Sequence, residues 1–262
     1  MKYVLREHID IAKWDACIEA SPNGLLYAHS FYLDYMSKHW DALVYGDYEA
    51  VMPLTWNRKY GVRYLYQPPF TQQLGIFGKS ARGKELIELF IAHLQQHFKF
   101  AEIFFNYGNY PHESFQPRPN YILSLKNNYD SIHEGYKNIL KKNLKRASHT
   151  GLNYKSMDDP KIIIDLYRTI YGRRFSHVKK NDYTQFEKNC NYLQKNGALI
   201  LRGAYNEENI LQAGVLLLQN KNRIHIVQSV TLPLGKTLQP NHFLLDNLIK
   251  EFSGKDLILD FE

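Results

Sequence analysis

The sequence predicts a mixed α/β protein folded as two lobes of similar size, on three observations. One order of elements (strand, helix, helix, three strands, helix, strand) can be read twice along the chain. The 262 residues suffice for two ordinary domains. Hydrophobic residues make up 44% and charged residues 23%, which supplies packed cores and excludes wholesale disorder.

In the first half, Tyr3 to Glu7 reads as a short strand and Ile11 to Glu19 as a helix ended by Ser21-Pro22-Asn23-Gly24. A second helix covers Ser30 to Lys38. Three strand-like runs come next, Asp41 to Tyr45, Glu49 to Trp56 and Tyr64 to Tyr66, with turns at Gly46-Asp47 and Lys59-Tyr60-Gly61. Lys84 to Phe98 carries Leu86, Leu89, Phe90, Ile91 and Leu94 as a helical stripe, and Ala101 to Asn106 reads as a strand. Tyr121 to Leu125 reads as one more strand of this half.

The second half repeats the order. Gly151 to Ser156 is a strand, and Asp159-Pro160 opens a helix with Asp as cap and Pro in the first turn. A further helix runs from Tyr183 to Gln194 and stops at Gly197. Strands are read at Ala198 to Tyr205, Ile210 to Gln219 and Arg223 to Val230. A helix from His242 to Phe252 ends at Gly254, and Leu257 to Phe261 is the last strand. The division is expected at 127/128, giving lobes 1–127 and 128–262. The second lobe is then expected to lack closing strands and to leave a sheet edge unpaired.

Between the halves, Ser131-Ile132-His133-Glu134 fits a capping box opening a basic helix over about 131–149. From Tyr136 to His149 it has Lys137, Lys141, Lys142, Lys145 and Arg146 and no acid. The segment is either a solvated face or a phosphate-binding ridge, with Lys142 and Arg146 on one stripe.

The net charge of +7 favours acidic partners such as phosphorylated cofactors, anionic sugar precursors or nucleic acid. Cys17 and Cys190 lie far apart and in no Cys-x-x-Cys pair, which argues against a disulfide framework and a zinc site. The N-terminus reaches charge too soon for a signal peptide, and the apolar stretch Ile210 to Leu218 is far short of a membrane span. The expected location is the cytoplasm. No Ser-His-Asp order, metal-spaced His/Cys cluster or Walker loop supports a hydrolase or nucleotidase.

Three segments carry a resemblance. They are Tyr64-Leu-Tyr-Gln-Pro-Pro-Phe-Thr-Gln-Gln-Leu-Gly-Ile-Phe77, Lys142-Asn-Leu-Lys-Arg-Ala-Ser-His-Thr-Gly151, and the run from Gly197 to Glu262 with Gly214, Pro240 and the closing Leu-Ile-Leu-Asp-Phe-Glu. With the double lobe, they resemble the Fem-type branch of the GNAT-like acyltransferase superfamily, whose members append amino acids to peptidoglycan precursors. The resemblance implies two tandem GNAT-like lobes and a Fem-like N-acyltransferase that moves an acyl or aminoacyl group to an amine of a cell-wall or glycan precursor. Acyl-CoA or aminoacyl-tRNA would be the donor, with no bound cofactor or metal and with a tRNA contact in the second case. It also implies two parallel strands that splay apart, here Arg223 to Val230 and Leu257 to Phe261, whose exposed amides polarise the donor carbonyl. A CoA-binding lobe of this type carries Gln/Arg-x-x-Gly-x-Gly/Ala, whereas Thr231 to Asn241 offers only Gly235 with Lys236. Relatives continue beyond the Asp-Phe-Glu strand. Both departures support the alternative, a degenerate non-catalytic binding protein of the same fold.

Asp260, on a strand expected to be buried, is either structurally paired or catalytic. Gln228 could contact an acyl carbonyl. His225 is expected to be solvated or satisfied, and terminal Glu262 to be mobile. Asn241 follows Pro240 where a cap is the ordinary role, and it joins Lys142, Arg146 and Lys236 as a candidate for donor phosphate. Arg173 or Arg174 could reach an anion. The resemblance, with their positions, assigns acceptor binding to Gln67, Gln72, Gln73 and Tyr107. An RNA-binding reading would require aromatic side chains beside the ridge, where only Tyr136 and Tyr154 are close.

Overall fold

A computed structural model describes residues 1–79, 81, 83–109, 112–233 and 238–262. The chain forms two compact units, Met1–Pro119 and Asn120–Glu262. The first contains β1 (Lys2–Val4), α1 (Ile11–Ala20), α2 (Ser30–Met36), β2 (Trp40–Tyr45), β3 (Ala50–Lys59), β4 (Val62–Leu65), β5 (Phe77–Gly78) and α3 (Lys84–His97). The Asp10 carboxylate caps α1 by accepting the Lys13 N–H. β1 to β4 form an antiparallel meander, and β5 pairs with the free edge of β3. Gly46, at φ 58°, makes the turn between β2 and β3 that a side chain would strain. Leu43, Met52, Leu54 and Leu65 pack against α3 through Phe90, Ile91 and Leu94 of the expected stripe and through Ile87, which that stripe omits, while Leu89 lies outside the cluster.

The expected strand 101–106 does not form a continuous ladder. It touches two neighbours in turn, through parallel bridges of Ala101 to Leu65 and Phe105 to Leu74. Between them the Gln67 side chain substitutes for a ladder, donating to Thr71 O at 2.7 Å and accepting the Phe104 N–H at 3.0 Å.

The second unit contains β6 (Ile122–Ser124), α4 (Tyr129–Glu134), α5 (Asn138–Ala147), β7 (Asn153–Ser156), α6 (Pro160–Tyr171), α7 (Lys180–Lys195), β8 (Leu199–Tyr205), β9 (Leu211–Asn220), β10 (Arg223–Thr231), α8 (Pro240–Phe252) and β11 (Ile258–Asp260). Its sheet runs β6-β11-β10-β9-β8-β7, parallel only between β10 and β11. Two expectations are corrected here. Strand 121–125 belongs to this sheet, not to the first lobe: β6 pairs antiparallel with β11, from Ile258 opposite Ser124 to Asp260 opposite Ile122. The edge expected to be bare is therefore covered by chain that precedes the lobe, and the division falls after Pro119. The basic segment is two helices, not one. Asn128, not Ser131, caps α4 by accepting the Ser131 N–H, and Gly135 comes after its last turn. Lys137 then sits at the cap position of α5. The Asp159 cap and Pro160 first turn of α6 form as read.

Ala213, Val215, Leu217, Ile224 and Leu259 pack against Leu244, Leu248 and Phe252 of α8. Polar groups tie the same helix to its neighbours. The Glu251 carboxylate takes the Arg202 guanidinium, with Nε at 2.9 Å, and the Tyr154 hydroxyl, while Asp246 accepts the Tyr129 hydroxyl at 2.9 Å. Burial alone would raise Glu251, but the hydrogen bonds from Arg202 and Tyr154 hold it below its ordinary value of 4.5.

The β10–β11 ladder lasts three registers: Arg223 with Ile258, Ile224 with Leu259 and His225 with Asp260. Arg223 Nη1 reaches diagonally to Asp260 Oδ2 at 2.6 Å, and the Asp260 side chain is fully buried. This ion pair fixes where the two strands stay together.

Removing one partner leaves an uncompensated buried charge, so Asp260→Ala should lower unfolding free energy by about 3–5 kcal/mol in a denaturant melt. Replacing both partners by apolar residues should recover part of that loss, and a neutral Asp260→Ala would contradict the clamp. For Glu251, the unfolded chain takes up the proton at higher pH than the folded one. Its stabilisation is therefore present above about pH 4.5 and lost as pH falls through the lower folded value. Glu251→Gln should flatten the acid limb of a stability–pH curve, and an unchanged limb would argue against the assignment.

Candidate functional site

Register decides which side chains of β10 act together. Ile226 lies opposite Leu217 and Gln228 opposite Leu216, so Val227 is an extra residue, a β-bulge. Strict alternation would place positions 225 and 228 on opposite faces. Across the bulge they share one. Val215 and Leu217 lie in the α8 core, which puts Ile226 and Ser229 on that side and His225 and Gln228 on the other. Arg223 and Asp260 share the face of His225 through the ladder.

This face carries a buried polar cluster. Arg223 binds Asp260, His225 Nδ1 stands 2.7 Å from Glu262 Oε1 and 3.7 Å from Asp260 Oδ2, and Asp260 Oδ1 accepts the Glu262 N–H at 3.1 Å. The expected mobility of Glu262 is thus corrected, since its side chain is 2% exposed and engaged by the imidazole. His225 is not solvated: its side chain is 1% exposed and its Nδ1 meets Glu262. Gln228 is 1% exposed, and neither amide atom has a hydrogen-bond partner among the described residues. Leaving such groups unpaired costs about 1–3 kcal/mol each, so the position is held against its own solvation.

His225, Asp260 and Glu262 together offer the donor set of a metal site, with ligand atoms within 4.8 Å of one another. The Arg223 guanidinium already holds Asp260 Oδ2, and a second cation there would meet its charge. The residues present do not suit a metal ion.

The opposite face holds the other candidates. The Ser229 hydroxyl donates to Asn241 Oδ1 at 3.0 Å, joining the end of β10 to the start of α8. Asn241 therefore does not cap the helix as expected. The cap position is Gln239, left-handed at φ 55°, and its side chain makes no capping hydrogen bond. Lys236 lies outside the described residues.

The remaining candidates are scattered over both units. Gln67 and Gln73 spend their side-chain amides on backbone, Gln67 on Thr71 and Phe104, and Gln73 by accepting the Tyr107 N–H at 3.1 Å. Gln72 is half-buried, and Tyr107 is exposed. Arg173 and Arg174 stand exposed in a short 3₁₀ turn after α6, with the Arg174 guanidinium 5.6 Å from the Tyr171 ring centre. Lys142 and Arg146 are exposed on α5. Both cysteines are buried, and burial pushes each thiol up, which leaves neither poised as a nucleophile.

The pairing of His225 with Glu262 is not among the sequence-based expectations. Its signal is present all the same: Arg223-x-His225 and Asp260-x-Glu262 both alternate with apolar residues, so two parallel neighbours align four charged or ionisable groups on one face. The bulge has no such signal.

No protein-family model matches the chain, and no curated protein matches it. Solved structures do. FemX is 14% identical, with TM-score 0.65 over 100% of this chain and 88% of that chain. A conserved protein of unknown function from Bacteroides thetaiotaomicron VPI-5482 is 9% identical, with TM-score 0.54 over 97% and 88%. L-PGS from Bacillus licheniformis is 12% identical, with TM-score 0.50 over 96% and 75%. Likeness at such identities reports on architecture alone. The chain carries a mixed α/β fold in two units that is similar to the fold of FemX.

Proposed function

We propose that this protein is an N-acyltransferase that moves an acyl or aminoacyl group from acyl-CoA or aminoacyl-tRNA to an amine of a cell-wall or glycan precursor. The observation that carries the reading is the edge of β10 beyond its short ladder with β11. The ladder stops at His225 and Asp260, β10 runs on to Thr231, and a bulge turns the unpartnered Gln228 amide to the face of the polar cluster.

Main-chain N–H groups of β10 beyond the ladder, on the edge away from β9, have no strand to bond among the described residues. They and the Gln228 amide supply donors for a carbonyl oxygen as it becomes an oxyanion. The amine lone pair attacks the carbonyl carbon, forming the C–N bond. Collapse of the tetrahedral species breaks the thioester C–S or ester C–O bond, and the leaving group takes up a proton. The amine proton goes to a base, and His225, oriented through Nδ1 by Glu262, has the geometry of one. Asp260 is the clamp in this scheme, since Arg223 already neutralises it. The first turn of α8 would take donor phosphate.

In the second reading, a non-catalytic relative, the pairing of both Asp260 oxygens, Oδ2 with Arg223 and Oδ1 with the Glu262 N–H, is purely structural. A donor that raises the melting temperature without turnover would support it.

The purified chain, given acetyl-CoA or charged tRNA with amine-bearing muropeptide precursors, should yield an acylated amine by mass spectrometry. Gln228→Met should lower kcat/KM about 10²–10³-fold while leaving the melting temperature unchanged or raised, because it removes two unpaired buried polar atoms. Unchanged kcat/KM with a lowered melting temperature would make Gln228 structural and overturn its role.

A further inference from the structure

All of the net positive charge resides in the second unit. Residues 120–262 hold 21 Lys and Arg against 14 Asp and Glu, whereas 1–119 hold 12 of each. Within the second unit the excess is densest on α5, where residues 136–149 include five basic side chains and no acid.

The helix sorts these groups by face. Leu140, Leu144 and Ala147 are the less accessible positions, and α5 packs against α8. At 100° per residue, Lys142, Lys145 and Arg146 point the other way and are exposed, as is Lys137 at the cap. Among the described residues none of these four takes part in an ion pair, so their charge is not spent within the protein. Ile139 stands on the same outward side, beside Arg146, and is 65% exposed.

We propose that this face of α5 docks the protein on an anionic lipid bilayer. The helix is about 15 Å long and would lie flat, its cations at the headgroups and Ile139 in the boundary beneath them. No helix among the described residues is long and apolar enough to cross a membrane. Two features favour lipid over nucleic acid. An exposed isoleucine in a cationic face gains from a bilayer and nothing from phosphates. The nearby rings that could stack bases are committed elsewhere, since Tyr136 is half-buried beside Asp246 and the Tyr154 hydroxyl is bound to Glu251.

The test is co-sedimentation of the full chain with vesicles of phosphatidylcholine alone or with about one-third phosphatidylglycerol. The anionic vesicles should retain the protein, the neutral ones should not, and binding should weaken with added salt. Lys142→Glu with Arg146→Glu should lose at least ~25-fold in affinity, from about fivefold per surface cation. Ile139→Ser should lose severalfold and make the remaining binding more salt-sensitive. Unchanged melting temperatures separate these losses from misfolding. Equal binding to both vesicles, wild-type binding by the double variant, or retention of tRNA in place of vesicles would overturn the proposal.

Discussion

The Arg223–Asp260 ion pair is the constraint on which the second sheet depends. Two charges buried against each other are stable only while both remain and their hydrogen bonds are met. Here they bind two strands that meet in parallel and share only three registers. Without that pair, β11 would be held to β10 by a short ladder and to β6 by another of equal length.

A glutamine follows a short parallel pairing in each unit, with different partners. In the first, the Gln67 side chain bonds Thr71 and Phe104. In the second, Gln228 lies on the polar face with its amide unspent.

The outline of the fold is legible in the sequence because it rests on local rules. The stripe of α3, the Asp159-Pro160 start of α6 and the order of strands are set by periodicity and capping within a few residues. The features that the sequence conceals depend on partners distant in the chain. Residues 122–124 read as a strand, but nothing local says that they pair with 258–260. Gly135 reads as an interior helix residue because the capping box at Ser131 and the apolar stripe beyond it suggest one helix, yet helix geometry ends just before it. The candidate site is half legible. Asp260 and Gln228 stand out as polar residues on buried strands, but the bulge at Val227 that sets Gln228 on the face of His225 is a matter of tertiary packing. Gln67 and Gln73 look from sequence like ligand-binding amides and in the fold bond the backbone instead.

The proposed chemistry requires that β10, beyond its three registers with β11, keep main-chain donors open to a carbonyl. Residue-resolved amide hydrogen exchange tests it most directly. The account predicts slow exchange in the paired registers, and fast exchange at those amides between Val227 and Thr231 that face away from β9. Continuous slow exchange along the whole of β10 on both edges would mean that this edge is closed, and would contradict it.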